Sequence, residues 1–167
     1  MRHCVRRGYT MDRISFGWKE PELLASELAQ PITRLSIEFA FHGRPVYVTL
    51  WRPDTTGLLI HSDMQDVAER REVGVLQFSR VNEIETQEIV IEVPSAFREN
   101  VTIFKLAVEE SGVQCESGVI LQANSGDEII IVAGVKPYSI AVRGITWPAY
   151  TFEPEYPMEQ YSRITVG

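Results

Sequence analysis

The chain has 167 residues, of which 44% are hydrophobic and 23% are charged, and its formal net charge is −7. This composition is typical of a single soluble globular domain and excludes a disordered chain. No apolar run approaches the ~18 residues of a membrane-spanning helix, and the two cysteines, Cys4 and Cys115, are too few for a disulfide framework.

The charge is uneven along the chain. Residues 1–20 hold five basic and two acidic side chains, a net of +3, so residues 21–167 carry −10. An acidic body repels phosphate backbones, which argues against nucleic-acid binding, and it suits a basic partner protein.

The first ten residues lack apolar periodicity and precede a second methionine, Met11. We expect residues 1–10 to be a flexible arm or extension, followed by a single globular domain over residues 11–167. No apolar stretch follows the N-terminal arginines as it would in a secretory signal, so the expected location is the cytoplasm.

The first predicted element is a short helix within "KEPELLASELAQP". Leu24 and Leu28 share one face of it, and Pro31 ends it. Two runs with period-two alternation follow, at residues 35–41 and 46–51, separated by "HGRP". This pattern predicts two strands joined as an antiparallel hairpin.

A strand, a second short helix and another strand are predicted within "GLLIHSDMQDVAERREVGVLQF". Ser62 would cap the helix, and Gln65 stands three residues later, as in a capping box. Arg70 and Arg71 would lie in the last turn, where cations favour the helix dipole, and Gly74 would mark the exit.

The next predicted strands are "EIVIEV", "VTIFKLAVEE" and "VQCESGVILQA". Glutamates alternate with apolar residues here or lie close by, which indicates the solvated face of an edge strand; they include Glu88, Glu92, Glu110 and Glu116. Residues 129–133 are apolar at every position, which predicts a central strand covered on both faces. The segment "YSIAV" is predicted to be the strand that follows it.

The C-terminal residues 147–167 change character, because prolines interrupt any regular period while aromatics stay frequent. We expect an irregular strap that packs along the body. Its candidate partner-binding residues mix carboxylates and aromatics, namely Glu153, Glu155, Tyr156, Glu159 and Tyr161. The alternative is a strap that only covers a core face.

The predicted fold class is α+β and mostly antiparallel. We expect one curved, meander-like sheet of about eight to ten strands with two short helices. A two-layer β-sandwich is the alternative arrangement.

No catalytic, cofactor-binding or metal-binding signature is present, so the function prediction is a protein-interaction or inhibitor module of the immunity type. One alternative is a small-molecule binder, with a pocket lined by Phe39, Phe41, Trp51 and Phe78. Another is a cysteine-dependent enzyme, in which Cys115 would pair with His61 or His42. Because Cys115 lies in an alternating run, we expect a buried, unreactive thiol instead.

Overall fold

The structure, a computed structural model, describes residues 12–40, 43–82, 89–144 and 151–166, and these residues are mainly β-strand. The strands are β1 (Asp12–Ile14), β2 (Arg34–Phe39), β3 (Pro45–Trp51), β4 (Gly57–Ala68), β5 (Arg71–Val81), β6 (Ile89–Glu92), β7 (Thr102–Glu110), β8 (Val113–Gln122), β9 (Glu128–Ala133), β10 (Ile140–Arg143) and β11 (Ser162–Thr165). The helix α1 spans Leu24–Leu28, and short 3-10 helices span Pro21–Leu23, Ser95–Arg98 and Met158–Gln160.

The strands form two sheets. The first sheet has the order β5-β4-β3-β2-β6, and all its pairs are antiparallel. The second sheet has the order β10-β9-β8-β7-β11, with β1 added in parallel to β8. The two sheets share one apolar core, to which the first contributes Leu35, Ile37, Val48, Leu50 and Ile60 and the second contributes Val119, Leu121, Ile129 and Ile131.

The expectation of one curved sheet with two helices is therefore wrong. Within the described ranges there are two sheets, eleven strands and one α-helix. Two facing sheets bury the inner apolar faces of both against each other, which one open sheet cannot do. This is the arrangement of the sandwich alternative.

The second predicted helix is also wrong, because residues 57–68 form one long strand. Ser62 pairs with Leu76, and Asp66 pairs with Glu72, across the β4–β5 hairpin. Arg70 turns the chain with φ 57°. Pairing along the whole length of β5 satisfies both backbones, and this outweighs the local capping pattern at Ser62.

The predicted short helix, the first hairpin and the central strand are confirmed, whereas the expected arm over residues 1–10 lies outside the described residues. Helix α1 buries Leu24 and Leu28, and β2 pairs with β3. Strand β9 lies between β8 and β10, with Ile131 in the shared core and Ile130 on the opposite, equally buried face. Strand β6 is an edge strand with Glu92 exposed, whereas Glu88 lies outside the described residues.

Glu116 does not belong to a solvated edge, because β8 is an interior strand. Its carboxylate is buried, accepts a hydrogen bond from the Phe16 backbone N–H at 3.1 Å, and pairs with Lys105 Nζ at 2.7 Å. These two contacts attach the N-terminal segment to β7 and β8. No helix of the described ranges is long and apolar enough to cross a membrane.

Candidate functional site

Within the C-terminal residues 151–166, called the strap below, residues 151–161 lie against the outer face of the second sheet, and residues 162–165 form its edge strand β11. The Val135 N–H donates to the Glu153 carbonyl at 3.0 Å, and the Glu155 N–H donates to the Ala133 carbonyl at 2.9 Å. Further along, β11 pairs antiparallel with β7. Backbone hydrogen bonds at both ends therefore hold the strap against the sheet.

Two tyrosines of the strap are buried against this outer face. Tyr156 and Tyr161 pack edge to face, with ring centroids 6.2 Å apart, and the Tyr156 N–H donates to Tyr161 Oη at 3.3 Å. They close a second core, whose other buried members are Val73, Val75, Leu106, Val108, Cys115, Ile120, Ile130, Val132 and Ala141. The strap, together with Val73 and Val75 of β5, thus supplies the layer that covers the second face of β9.

An ion pair joins the hairpin β4–β5 to β7 next to Tyr156 of the strap. Arg71 Nε lies 3.1 Å from Glu110 Oε1, and the Tyr156 hydroxyl donates to Glu110 Oε2 at 3.0 Å. The hydrogen bond from Arg71, followed by that from Tyr156, lowers the pKa of Glu110. Burial is the main cause that raises the pKa of Tyr156 to about 12. Glu110 is therefore an ionised acceptor and Tyr156 a neutral donor at neutral pH.

Glu155 lies in a less favourable setting. Its Oε2 accepts a hydrogen bond from the Gly74 N–H at 2.9 Å, and burial raises the pKa of its carboxyl. Beside it, the Ser62 hydroxyl is buried, with 3% of the residue exposed, and has no hydrogen-bond partner among the described residues. A Cβ placed on Gly74 would lie 2.8 Å from Ser62 Oγ and 3.0 Å from Glu155 Oε2. Both oxygens therefore lie against the same glycine.

The structure divides the five predicted partner-binding residues between two sides of the strap. Tyr156 and Tyr161 are buried, and Glu155 is largely covered. Glu153 and Glu159 are exposed. Only these two carboxylates are presented to solvent with the strap in this position.

The turn between β9 and β10 forms an exposed surface that sequence reasoning did not select. Val135 is 49% exposed and Tyr138 is 57% exposed. Tyr138 has φ 62°, in the left-handed region that bulky residues rarely adopt. The sequence signal was an aromatic residue directly after a proline, in a turn where glycine or asparagine is usual.

A small pocket adjoins this turn. Its polar lining includes Arg44, Lys136, Ser139, Thr151 and Glu153, and its volume is about 30 Å³. That volume holds about one water molecule and is far below the ~300 Å³ at which small-molecule sites begin. The pocket brings Glu153 of the strap next to the β9–β10 turn, so the two form one surface.

The aromatic residues considered for a ligand pocket fill space in the fold. Phe78 belongs to the shared core, and Phe39 packs against it. Trp51 is buried, and its indole N–H donates to Ser36 Oγ at 2.8 Å. Phe41 lies outside the described residues.

Cys115 is buried, as expected, in the second core. Burial is the largest cause that raises the pKa of its thiol to about 11, and the neighbouring carboxyls of Glu155 and Glu110 add to the effect. The thiol is therefore protonated at neutral pH and lacks the thiolate character of a nucleophile. His61 instead contacts the Tyr47 ring, at 5.7 Å between centroids, and His42 lies outside the described residues.

In the described part of the chain, no group of three or more His, Cys, Asp or Glu side chains is placed to hold a metal ion. No protein-family model matches the sequence, and neither the curated proteins nor the solved structures include a significant match to it.

Proposed function

We propose that this chain is a cytoplasmic protein-interaction module that binds and masks a basic partner protein, as an inhibitor or immunity protein does. The observation that carries the proposal is Tyr138, an aromatic side chain that is exposed although its backbone is held in a left-handed conformation. The binding surface, called the turn surface below, consists of Arg44, Val135, Lys136, Tyr138 and Glu153.

The backbone conformation of Tyr138 is costly. A non-glycine residue in this region of φ costs about 1–3 kcal/mol, and such residues concentrate at functional sites. Among the described residues, the Tyr138 side chain has no hydrogen bond, ion pair or ring contact. A rigid, exposed aromatic is the side chain that most often anchors a protein interface. These facts support an external partner for Tyr138.

The charge of the chain supports a basic partner. Residues 21–167 carry −10, and the exposed carboxylates of Glu153 and Glu159 make no ion pair within the described ranges. Such a field accelerates the association of a basic protein. The cations of Arg44 and Lys136 next to Glu153 give the turn surface a mixed charge, which favours orientation of the partner over raw affinity.

The test uses the purified protein as bait in extracts of the native host, with three matched baits. One carries Tyr138→Asn, one carries Glu153→Gln with Glu159→Gln, and one carries Glu22→Gln with Glu99→Gln. The last bait loses the same charge at two exposed positions that precede β2 and follow β6, at the end of the first sheet opposite the β2–β3 turn that carries Arg44. A true partner is retained by the unchanged protein and by this control variant, and is lost or weakened with the other two.

Binding kinetics with the recovered partner then test the charge argument. The association rate should fall steeply as salt rises from low to physiological levels, because exposed charges are screened beyond ~10 Å at 0.1 M. An acidic partner, or an association rate that does not depend on salt, would contradict the proposal. A partner retained equally by all baits would place the interface elsewhere.

A further inference from the structure

The carboxyl group of Glu155 is the least well satisfied ionisable group of the strap. It is largely covered, and the Gly74 N–H is its one hydrogen-bond donor among the described residues. A carboxylate in a covered site normally accepts two or more hydrogen bonds or pairs with a cation, because desolvation of the charge is otherwise costly. Among the described residues, Glu155 accepts one hydrogen bond where such a carboxylate normally accepts at least two.

The charged neighbours do not supply the rest. Arg71 on β5 is the nearby cation, but its guanidinium is already bound to Glu110 on β7 and to the Tyr156 hydroxyl. Glu110 itself adds a like charge that opposes ionisation of Glu155. An ionised Glu155 therefore lies near one cation that is shared and one anion that repels it.

The remaining groups around Glu155 are neutral. Cys115 on β8 and Tyr161 of the strap both have a raised pKa, with burial as the largest cause, so neither carries charge near neutral pH. Strand β4 contributes the unpartnered Ser62 hydroxyl, and β9 contributes the Ala133 carbonyl, which accepts the Glu155 N–H. The Ser62 hydroxyl makes no hydrogen bond to the Glu155 carboxyl, so it does not stabilise the ionised form of Glu155.

We propose that Glu155 is a pH-sensitive latch, which holds the strap closed over the second sheet when protonated and loosens it when ionised. Burial raises the pKa of Glu155 in the closed strap above its value in the open strap. The closed state is therefore fully favoured below the open-state pKa and loses this stabilisation as pH rises through the closed-state pKa. Opening uncovers Tyr156, Tyr161 and the outer face of the second sheet.

Cys115 reports on opening, because it lies in the core that the strap covers. The experiment uses the full chain with Cys4→Ser, so that Cys115 is the one thiol. An uncharged thiol reagent labels the folded protein from about pH 5 to about pH 8, and the same series is run with Glu155→Gln added. Glutamine keeps the acceptor for the Gly74 N–H but cannot ionise. At each pH, the labelling rate of the chain with Glu155 is divided by that of the Glu155→Gln chain. This ratio cancels the pH dependence of the reaction between the reagent and the exposed thiol.

We expect the ratio to be lowest at the acid end and to rise with pH to a plateau. The rise is about tenfold for each pH unit that separates the closed-state and open-state pKa values of Glu155. Replacing the exposed strap carboxylate with Glu159→Gln should leave the labelling rate unchanged at every pH. A ratio that stays constant with pH would overturn the proposal.

A second measurement keeps the latch testable if Glu155→Gln folds poorly. Hydrogen exchange of residues 151–166 in the otherwise unchanged chain, corrected for the intrinsic pH dependence of exchange, should show less protection as pH rises. The protection of β2 and β3 in the first sheet should stay constant over the same range. Equal pH dependence in both regions would indicate global unfolding and would contradict the latch. Neither measurement uses a partner, so the outcome is independent of the proposed function.

Discussion

Replacing Tyr138 with asparagine should stabilise this protein while weakening partner binding. The tyrosine is held at φ 62°, where a side chain other than glycine, asparagine or aspartate costs about 1–2 kcal/mol. Asparagine tolerates this conformation, and the lost tyrosine ring was 57% exposed and in no described ring contact. We therefore expect the free energy of unfolding to rise by about 1 kcal/mol, which raises Tm by about 2–4 °C for a chain of this size.

Thermal unfolding followed by circular dichroism, with urea denaturation beside it, measures this gain. Thr55→Asn is the matched control, because Thr55 is exposed, has φ 68°, and lies in the turn between β3 and β4, away from the turn surface. It should give a similar gain in stability without changing partner capture. Tyr47→Asn is the second control: Tyr47 is an exposed tyrosine on β3, 37% exposed, without a positive φ, and should give no gain.

The pattern across these variants separates strain from other causes. A higher Tm for Thr55→Asn together with an unchanged or lower Tm for Tyr138→Asn would refute the reasoning, because it would mean that the Tyr138 side chain stabilises the turn. If Tyr138→Asn raises Tm but leaves partner capture complete, the backbone strain at Tyr138 is supported, and Tyr138 is not part of the interface.

Three further predictions concern the packing and charge of the fold. Trp51→Phe leaves the Ser36 hydroxyl buried without its donor and should lower the free energy of unfolding in urea by about 1–3 kcal/mol; adding Ser36→Ala should then cost less than the sum of the single changes. Gly74→Ala would place a Cβ 2.6 Å from the Ala133 Cβ, so it should cost about 1–3 kcal/mol, and an unchanged Tm would speak against this close approach. Because the pKa of Glu110 is lowered in the fold, its stabilisation is present above its unfolded pKa and lost as pH falls. Glu110→Gln should therefore destabilise at neutral pH, and the difference from the unchanged chain should vanish under acidic conditions.

The local sequence pattern was sufficient to predict those elements whose hydrophobic periodicity fits only one type of secondary structure. Alternation on both sides of a glycine-containing turn indicated the β2–β3 hairpin, because a one-residue change of register would expose its apolar side chains. Ile129 to Ala133 is apolar at every position, so that the requirement for cover on both faces followed from the sequence alone.

Long-range pairing decided the elements that local pattern left ambiguous. Met64, Val67 and Ala68 suit one face of a helix, and Ser62 suits a cap, yet this segment is a strand because β5 supplies a partner along its whole length. Glu116 was expected in solvent, but Lys105 and the Phe16 N–H bind it in the interior of the second sheet. The division of the strands between two sheets depends in the same way on contacts between segments far apart in sequence.

Whether each strap residue faces the second sheet or the solvent also depends on the tertiary structure. The proline-rich segment was expected to pack along the body, and its composition marked the carboxylates and tyrosines as one candidate group. Without a regular period, however, the sequence does not indicate which of them point inward. Tyr156 and Tyr161 are buried because the outer face of the second sheet requires an apolar cover, and Glu155 is brought against Gly74 and Ser62 by the same docking. Whether a strap side chain is exposed or buried depends on the residues that pack against it. These residues come from distant parts of the sequence, so only the folded chain brings them together.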